Sequence, residues 1–262
     1  MNNTRCIDIM HRLLLPVFMI FIYDDGIHNN SYLQAVIESA LPEKTKICFA
    51  SSSMILDGCL GDAQLLIMPG GADLYYCEKL NGAGNKIIHR FVENGGSYLG
   101  ICAGAYYACA SLDWNKGNIT GSRELRFANA TATGPVFEWI EDGDITKSWF
   151  CDVMLSWNGT TFPILYNGGC LFYNLNENIT VLARYTELAT NNAAIIETNI
   201  GKGRVILSSP HIEKFGINLT NGCYQTHNSS YNRETRIITR LQQAEQQQKH
   251  LFEHIIKHLL SA

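Results

Sequence analysis

The chain has 262 residues, of which 46% are hydrophobic and 17% charged, with a formal net charge of −4. That apolar fraction offsets the entropy of ordering the chain and excludes an intrinsically disordered protein. No run of clustered Lys and Arg occurs, which excludes a protein whose main ligand is nucleic acid, because phosphate binding needs concentrated positive charge.

The first apolar run, Leu13 to Tyr23, follows Arg5, His11 and Arg12 and has the outline of a signal peptide. Asp24-Asp25-Gly26 comes next instead of a small-residue cleavage site, and the run is about half of the roughly 20 residues a membrane span needs. It is expected to be a buried parallel strand, and no membrane partner is expected. Ser31 to Leu41 carries apolar residues at Leu33, Val36, Ile37 and Ala40, a helical spacing. Lys46 to Ala50 and Ala63 to Met68 predict strands, and the second of these ends in Pro69-Gly70-Gly71. An amphipathic helix over Asn85 to Glu93, a strand over Ser97 to Cys102 and a small-residue helix over Ala103 to Ser111 follow. This alternation predicts an α/β fold with a parallel sheet covered on both faces and ligands beyond the carboxyl ends of its strands.

Beyond about residue 118, shorter β-type segments at Ala132 to Ile140, Thr161 to Tyr166, Ile179 to Tyr185 and Ala193 to Glu197 predict an antiparallel β extension. Gly203 to Ser208 restores the buried-strand pattern, and a helix over Arg233 to Leu260 closes the sequence, its polar middle, Gln242 to Lys249, expected on the surface. No internal repeat or long linker interrupts residues 1–262, so one domain is expected.

The sharpest chemical signal is Gly100-Ile101-Cys102-Ala103-Gly104 at a strand-to-helix junction. A nucleophile on such a turn needs glycine on either side, because a side chain two positions away would collide with the strained backbone. The sulfur there faces a helix N-terminus, whose partial positive charge favours the thiolate. Such a nucleophile needs a base, and the base needs an orienting group. Pro210-His211-Ile212-Glu213 supplies both, since a carboxylate two residues on reaches back to one imidazole nitrogen while the other faces the thiol. Pro69-Gly70-Gly71-Ala72-Asp73 supplies the third piece. The backbone N–H groups of Gly71 and Ala103 are candidates for an oxyanion hole, an effect worth about 3 kcal/mol per donor.

Other reactive residue types have weaker claims. Nine cysteines, an odd number without a C-x-x-C pair, predict free thiols in a reducing, cytoplasmic setting. Cys48, Cys109 and Cys170 are expected to be buried small hydrophobes. His89 falls in a helix, and His250, His254 and His258 recur at helical spacing without a nearby acidic or Cys ligand, so no metal site or other cofactor is expected.

The segments Met68 to Tyr76, Gly95 to Ala108, Arg123-Glu124-Leu125-Arg126-Phe127, Tyr166-Asn167-Gly168-Gly169 and the surroundings of His211 together resemble the class I glutamine amidotransferase-like superfamily. The closer similarity, over residues 16–215, is to the amidotransferase-like domain at the N-terminus of eukaryotic biotin–protein ligases and in free-standing bacterial proteins. The resemblance implies a flavodoxin-like three-layer sandwich with a mostly parallel central sheet, and a triad of Cys102, His211 and Glu213. Two departures stand out. Working glutaminases of the superfamily place Gln four residues after the nucleophile, where this sequence has Tyr106, and their His-Pro-Glu is here His211-Ile212-Glu213. The sequence carries no Gly-Arg-rich adenylate-binding motif, so biotin ligation is not expected of it.

The reading is therefore a cysteine-dependent, amidotransferase-like hydrolase acting on a small amide or acyl substrate. Gly70, Asp73, Tyr76, Tyr106, Arg123 and Glu124 are the candidate substrate contacts. Tyr106 predicts that free glutamine is a poor substrate and that the acyl group suits an aromatic wall. A homo-oligomer or a partner enzyme is compatible with this reading. The alternative is a non-catalytic ligand-binding or regulatory module that retains the fold.

Overall fold

The computed structural model describes residues 18–26, 30–41, 44–190, 192–215 and 231–261. Its first half alternates strands and helices: β1 (Met19–Tyr23), α1 (Ser31–Ala40), β2 (Lys46–Ala50), α2 (Ser52–Leu56), β3 (Leu65–Met68), α3 (Asp73–Leu80), α4 (Ala83–Glu93), β4 (Ser97–Ile101) and α5 (Ala103–Ala108). Then come β5 (Cys109–Trp114), β6 (Ile119–Ser122), β7 (Ala128–Gly134), β8 (Phe150–Trp157), β9 (Thr160–Asn167), β10 (Leu171–Tyr173), β11 (Thr180–Tyr185), β12 (Ala193–Ile200) and β13 (Gly203–Ser208). Helices α6 (Tyr231–Gln243) and α7 (Glu245–Leu260) close the fold.

A nine-stranded sheet runs in the order β2-β1-β3-β4-β13-β12-β11-β8-β9. Its first five strands are mutually parallel and the rest are antiparallel to their neighbours. The strands read as unbroken apolar runs because both faces are covered. Successive residues of β1 alternate between the two cores: Ile20 and Ile22 pack with Leu33, Val36 and Ile37 of α1 and with Leu251 and Phe252 of α7. Phe21 and Tyr23 pack on the other side with Ile55, Tyr76, Leu80, Ile88 and Val92 of α2, α3 and α4. A second sheet, ordered β10-β7-β5-β6, lies on that same side through Leu112, Ala130, Ala132 and Phe172. This is the three-layer α/β architecture expected, with the antiparallel extension continuing the main sheet and adding a smaller one over it.

Four predicted elements differ in their bounds from the sequence reading. Strand β1 begins at Met19, and residues 13–17 of the predicted strand lie outside the described residues. The helix predicted to Ser111 ends at Ala108, because Cys109 turns extended (φ −77°, ψ 161°) and the following residues pair with β6 and β7. Strand β7 starts at Ala128 and stops before Pro135, which has no N–H to continue a ladder. The closing helix breaks at Ala244 (φ −104°, ψ 13°). Its polar middle is not all solvated: Gln248 is buried and its amide donates to the carbonyls of Pro163 (2.7 Å) and Leu241 (3.1 Å).

Candidate active site

Strand β4 delivers Cys102 to the carboxyl edge of the parallel strands, where the chain turns into α5. Cys102 has φ 50° and ψ −106°, a left-handed conformation that costs a non-glycine residue of order 1–3 kcal/mol. The neighbours hold it there. Its N–H donates to the Ser208 carbonyl of β13 at 2.8 Å, and the Tyr98 hydroxyl donates to the Gly104 carbonyl at 2.9 Å. A Cβ on Gly100 would sit 2.5 Å from the Gly104 oxygen, and one on Gly104 would overlap the Met68 carbonyl of β3. The two glycines are therefore required by backbone proximity and not by composition.

Strand β13 delivers His211, whose N–H donates to the Leu165 carbonyl of β9 at 2.9 Å. Its Nδ1 lies 2.8 Å from Oε1 of the buried Glu213. Burial is the largest influence on the ring and opposes its charge, but the Glu213 carboxylate and then the Cys102 sulfur outweigh it and push His211 up to about 10. Glu213 is likewise opposed by burial and held below the usual carboxylate range by the His211 charge. Cys102 and His211 approach one another beside Gly70: a Cβ there would lie 2.7 Å from His211 Cε1 and 3.6 Å from Cys102 Cβ. The thiol donates to the Asn167 carbonyl at 3.7 Å, and His211 Nε2, although close enough to feel the sulfur, has no partner in hydrogen-bond geometry among the described residues.

The turn after β3 lies against this pair. Gly71 has φ 148°, which favours glycine, and it lines a cavity together with Cys102 and Ala103. Neither the Gly71 nor the Ala103 N–H donates to another group among the described residues. Tyr76 is not in the cavity lining. Its hydroxyl donates to the carbonyls of Pro69 (3.0 Å) and Gly70 (3.3 Å), so it shapes the turn from behind.

The cavity beside Cys102 has a volume of about 220 Å³. Tyr106 forms part of its wall, and the Tyr106 hydroxyl donates to the Gly169 carbonyl at 2.7 Å. Asp73 lines it as well, with Oδ2 at 2.6 Å from Nε of the buried Arg123. Arg123 thus reaches the site only through Asp73. Glu124 is exposed and directed elsewhere, accepting from the Gly82 N–H (2.7 Å) and the Asn85 amide (2.8 Å) at the start of α4. These bonds hold its carboxyl below the usual range, the Gly82 bond most of all. Glu124 caps the start of this helix and is not in the lining of the cavity beside Cys102. The sequence reading missed Trp114 of β5, Trp149 before β8, and the carbonyl of Asn167 at the end of β9.

A model of the family "Biotin-protein ligase, N terminal" matches residues 26–261 of this sequence. The chain belongs to this family. An uncharacterized protein of Chlamydia muridarum is 35% identical over 210 residues, covering 74% of this chain and 80% of its own length. A biotin–protein ligase of Schizosaccharomyces pombe is 39% identical over 160 residues, 57% of this chain and 25% of the ligase, so the match takes in a quarter of that enzyme. Among solved structures, a glutamine amidotransferase from Thermotoga maritima superposes with a TM-score of 0.60 at 10% identity, covering 95% of this chain and 100% of the other. That likeness is one of fold: a class I amidotransferase-like sheet.

Within this biotin-ligase N-terminal fold the remaining described thiols sit in unlike surroundings. Burial raises Cys109, Cys151 and Cys170 far above the ordinary thiol range, and raises the half-buried Cys59 and Cys77 less. Cys48 is half-buried and not fully enclosed as expected. The histidines of α7 pack as a stripe: His250 and His254 lie against Trp157, and His258 bonds Glu197 at 2.8 Å. No described helix is long and apolar enough to cross a membrane.

Proposed function

We propose that this protein is a cysteine-dependent hydrolase of the amidotransferase-like type, acting on an amide or related acyl carbon. The observation that carries the reading is the left-handed Cys102 held beside an imidazole whose far nitrogen is fixed by a buried carboxylate. The pair acts as a Cys102 thiolate beside a charged His211, whose raised pKa keeps its proton at neutral pH, and the thiolate attacks the substrate carbonyl carbon, forming a C–S bond as the carbonyl electron pair moves to oxygen. The Gly71 and Ala103 N–H groups receive that oxyanion. The carbonyl re-forms, the bond to the leaving group breaks, and the leaving group departs with the proton from His211. Water then attacks the thioester, giving a proton to His211. Collapse of the second oxyanion releases the acid and restores the thiolate. Asp73 and Tyr106 border the substrate, whereas Gly70, Tyr76, Arg123 and Glu124 serve position and support.

One observation favours the second reading, a non-catalytic ligand-binding module: the thiol donates to the Asn167 carbonyl, and His211 Nε2 has no partner in hydrogen-bond geometry among the described residues. A time course of iodoacetamide labelling, read by peptide mapping, separates the two. Cys102 is expected to label faster than the half-buried Cys77 at neutral pH, and His211→Ala to abolish the difference. If Cys102 labels no faster than Cys77, the hydrolase reading fails and the binding module stands.

A further inference from the structure

We infer that the cavity beside Cys102 is built for an uncharged acyl group bearing an aromatic ring, and that Trp114 and Trp149 are its specificity-determining residues. The chemistry performed on that group rests on the hydrolase reading above, but the recognition does not. Tyr106, Trp114 and Trp149 stand edge to face in series, with ring centroids 5.5 Å and 5.4 Å apart and interplanar angles of 76° and 68°. That geometry places ring edges against ring faces, and all three rings line the cavity, where a fourth ring can join the series. Two polar ends of this wall are engaged with backbone: the Tyr106 hydroxyl with Gly169, and the Trp149 indole N–H with the Ile145 carbonyl at 2.8 Å. Gly168 lets Trp149 lie down on the loop, since a Cβ there would come within 2.8 Å of its ring.

Charge points the same way. Asp73 is the one charged side chain in the described lining, and Arg123 already neutralises it at 2.6 Å. A free α-amino acid entering the cavity would lose the hydration of an ammonium and a carboxylate and find only a carboxylate already paired with Arg123, a large cost. The mouth is apolar as well: Leu74 and Ile119 line the cavity and are 51% and 39% exposed. Size agrees with one ring. A dry cavity on the order of 150 Å³ holds benzene, and the 220 Å³ here adds room for the carbons that join a ring to a carbonyl.

Calorimetric titration of the intact protein with phenylacetamide, hexanamide and L-glutamine tests recognition without requiring turnover. Phenylacetamide is expected to bind about tenfold or more tightly than hexanamide, a discrimination of the size an apolar pocket gives, with no saturable binding of glutamine. Trp114→Ala and Trp149→Ala should abolish that preference. Ile119→Glu, at an exposed position that leaves the core untouched, should weaken phenylacetamide binding even if the tryptophan variants fail to fold. Glutamine binding as tight as phenylacetamide, or no binding of phenylacetamide, overturns the inference. In parallel, p-nitrophenyl phenylacetate is mixed with the protein and Cys102 is examined for an acyl adduct by intact mass. Phenylacetamide binding without any adduct or turnover supports the cavity assignment and sinks the hydrolase reading alone.

Discussion

Glu213→Gln isolates what the carboxylate does for the buried imidazole. The replacement keeps the shape and an acceptor for the Nδ1 proton at the 2.8 Å contact but removes the charge that raises His211 to about 10. Without it, burial opposes the ring's charge with only the Cys102 sulfur acting the other way, and the ring falls well below about 10. Removing one partner of a buried ion pair costs about 3–5 kcal/mol. Because glutamine still accepts the hydrogen bond, the low end, about 3 kcal/mol, is expected.

The sign of the pH dependence follows. His211 is raised on folding, so its contribution is complete below the unfolded value of about 6.5 and fades as pH rises through about 10. Glu213 is lowered, so its contribution is present above the unfolded value of about 4.5 and fades as pH falls below it. The stability gap between wild type and Glu213→Gln is therefore widest between about pH 4.5 and 6.5 and narrows markedly by pH 10.5. Urea unfolding followed by circular dichroism at pH 5.5, 8 and 10.5 measures the gap, and the His211 Cε1–H resonance reports the ring directly. Cys102 and Lys214 also act on the pair, so the series is repeated in Cys102→Ser to remove the thiol's share. A gap that stays constant across this range, or a His211 resonance titrating near pH 6.5 in both proteins, would refute the reasoning.

Two further outcomes follow from the packing. Gly104→Ala drives a Cβ into the Met68 carbonyl, a backbone atom that cannot swing aside, so a loss of about 1–3 kcal/mol or more is expected; an unchanged thermal midpoint would show that the elbow tolerates bulk. Asp73→Asn leaves the buried Arg123 charge uncompensated and is expected to cost about 3–5 kcal/mol, with much of the loss recovered in Asp73→Asn/Arg123→Met. If the single and double variants unfold at the same urea concentration, the pair does not carry the stability assigned to it.

The parallel half of the fold was legible because strands covered on both sides leave a mark that needs no partner to read. Leu65–Met68, Ser97–Ile101 and Gly203–Ser208 are buried along their whole length or nearly so, and each is an apolar run. The second sheet leaves no such mark. Strand β7 is ANATATG, with small residues inward and polar ones outward, and every residue of β6 is exposed. Their strand character comes from pairing with β5, a partner that the predicted helix over Ala103 to Ser111 had partly absorbed. Helix α3 was missed for a related reason: of its eight residues only Tyr76 and Leu80 are buried, too few to establish a period.

The site divides along the same line. The steric demands of the elbow are met by residues within two positions of Cys102, and the carboxylate partner of His211 is two residues away, so both are visible in a local reading. The wall facing them is not, because Trp114 and Trp149 come from separate segments of the extension and no spacing rule joins them to Cys102. What joins them is the segment in which β9 ends. Its Asn167 carbonyl accepts from the thiol, its Gly168 carries Trp149, and its Gly169 accepts from Tyr106. The resting position of the sulfur and the shape of the aromatic wall are thus fixed by three consecutive residues.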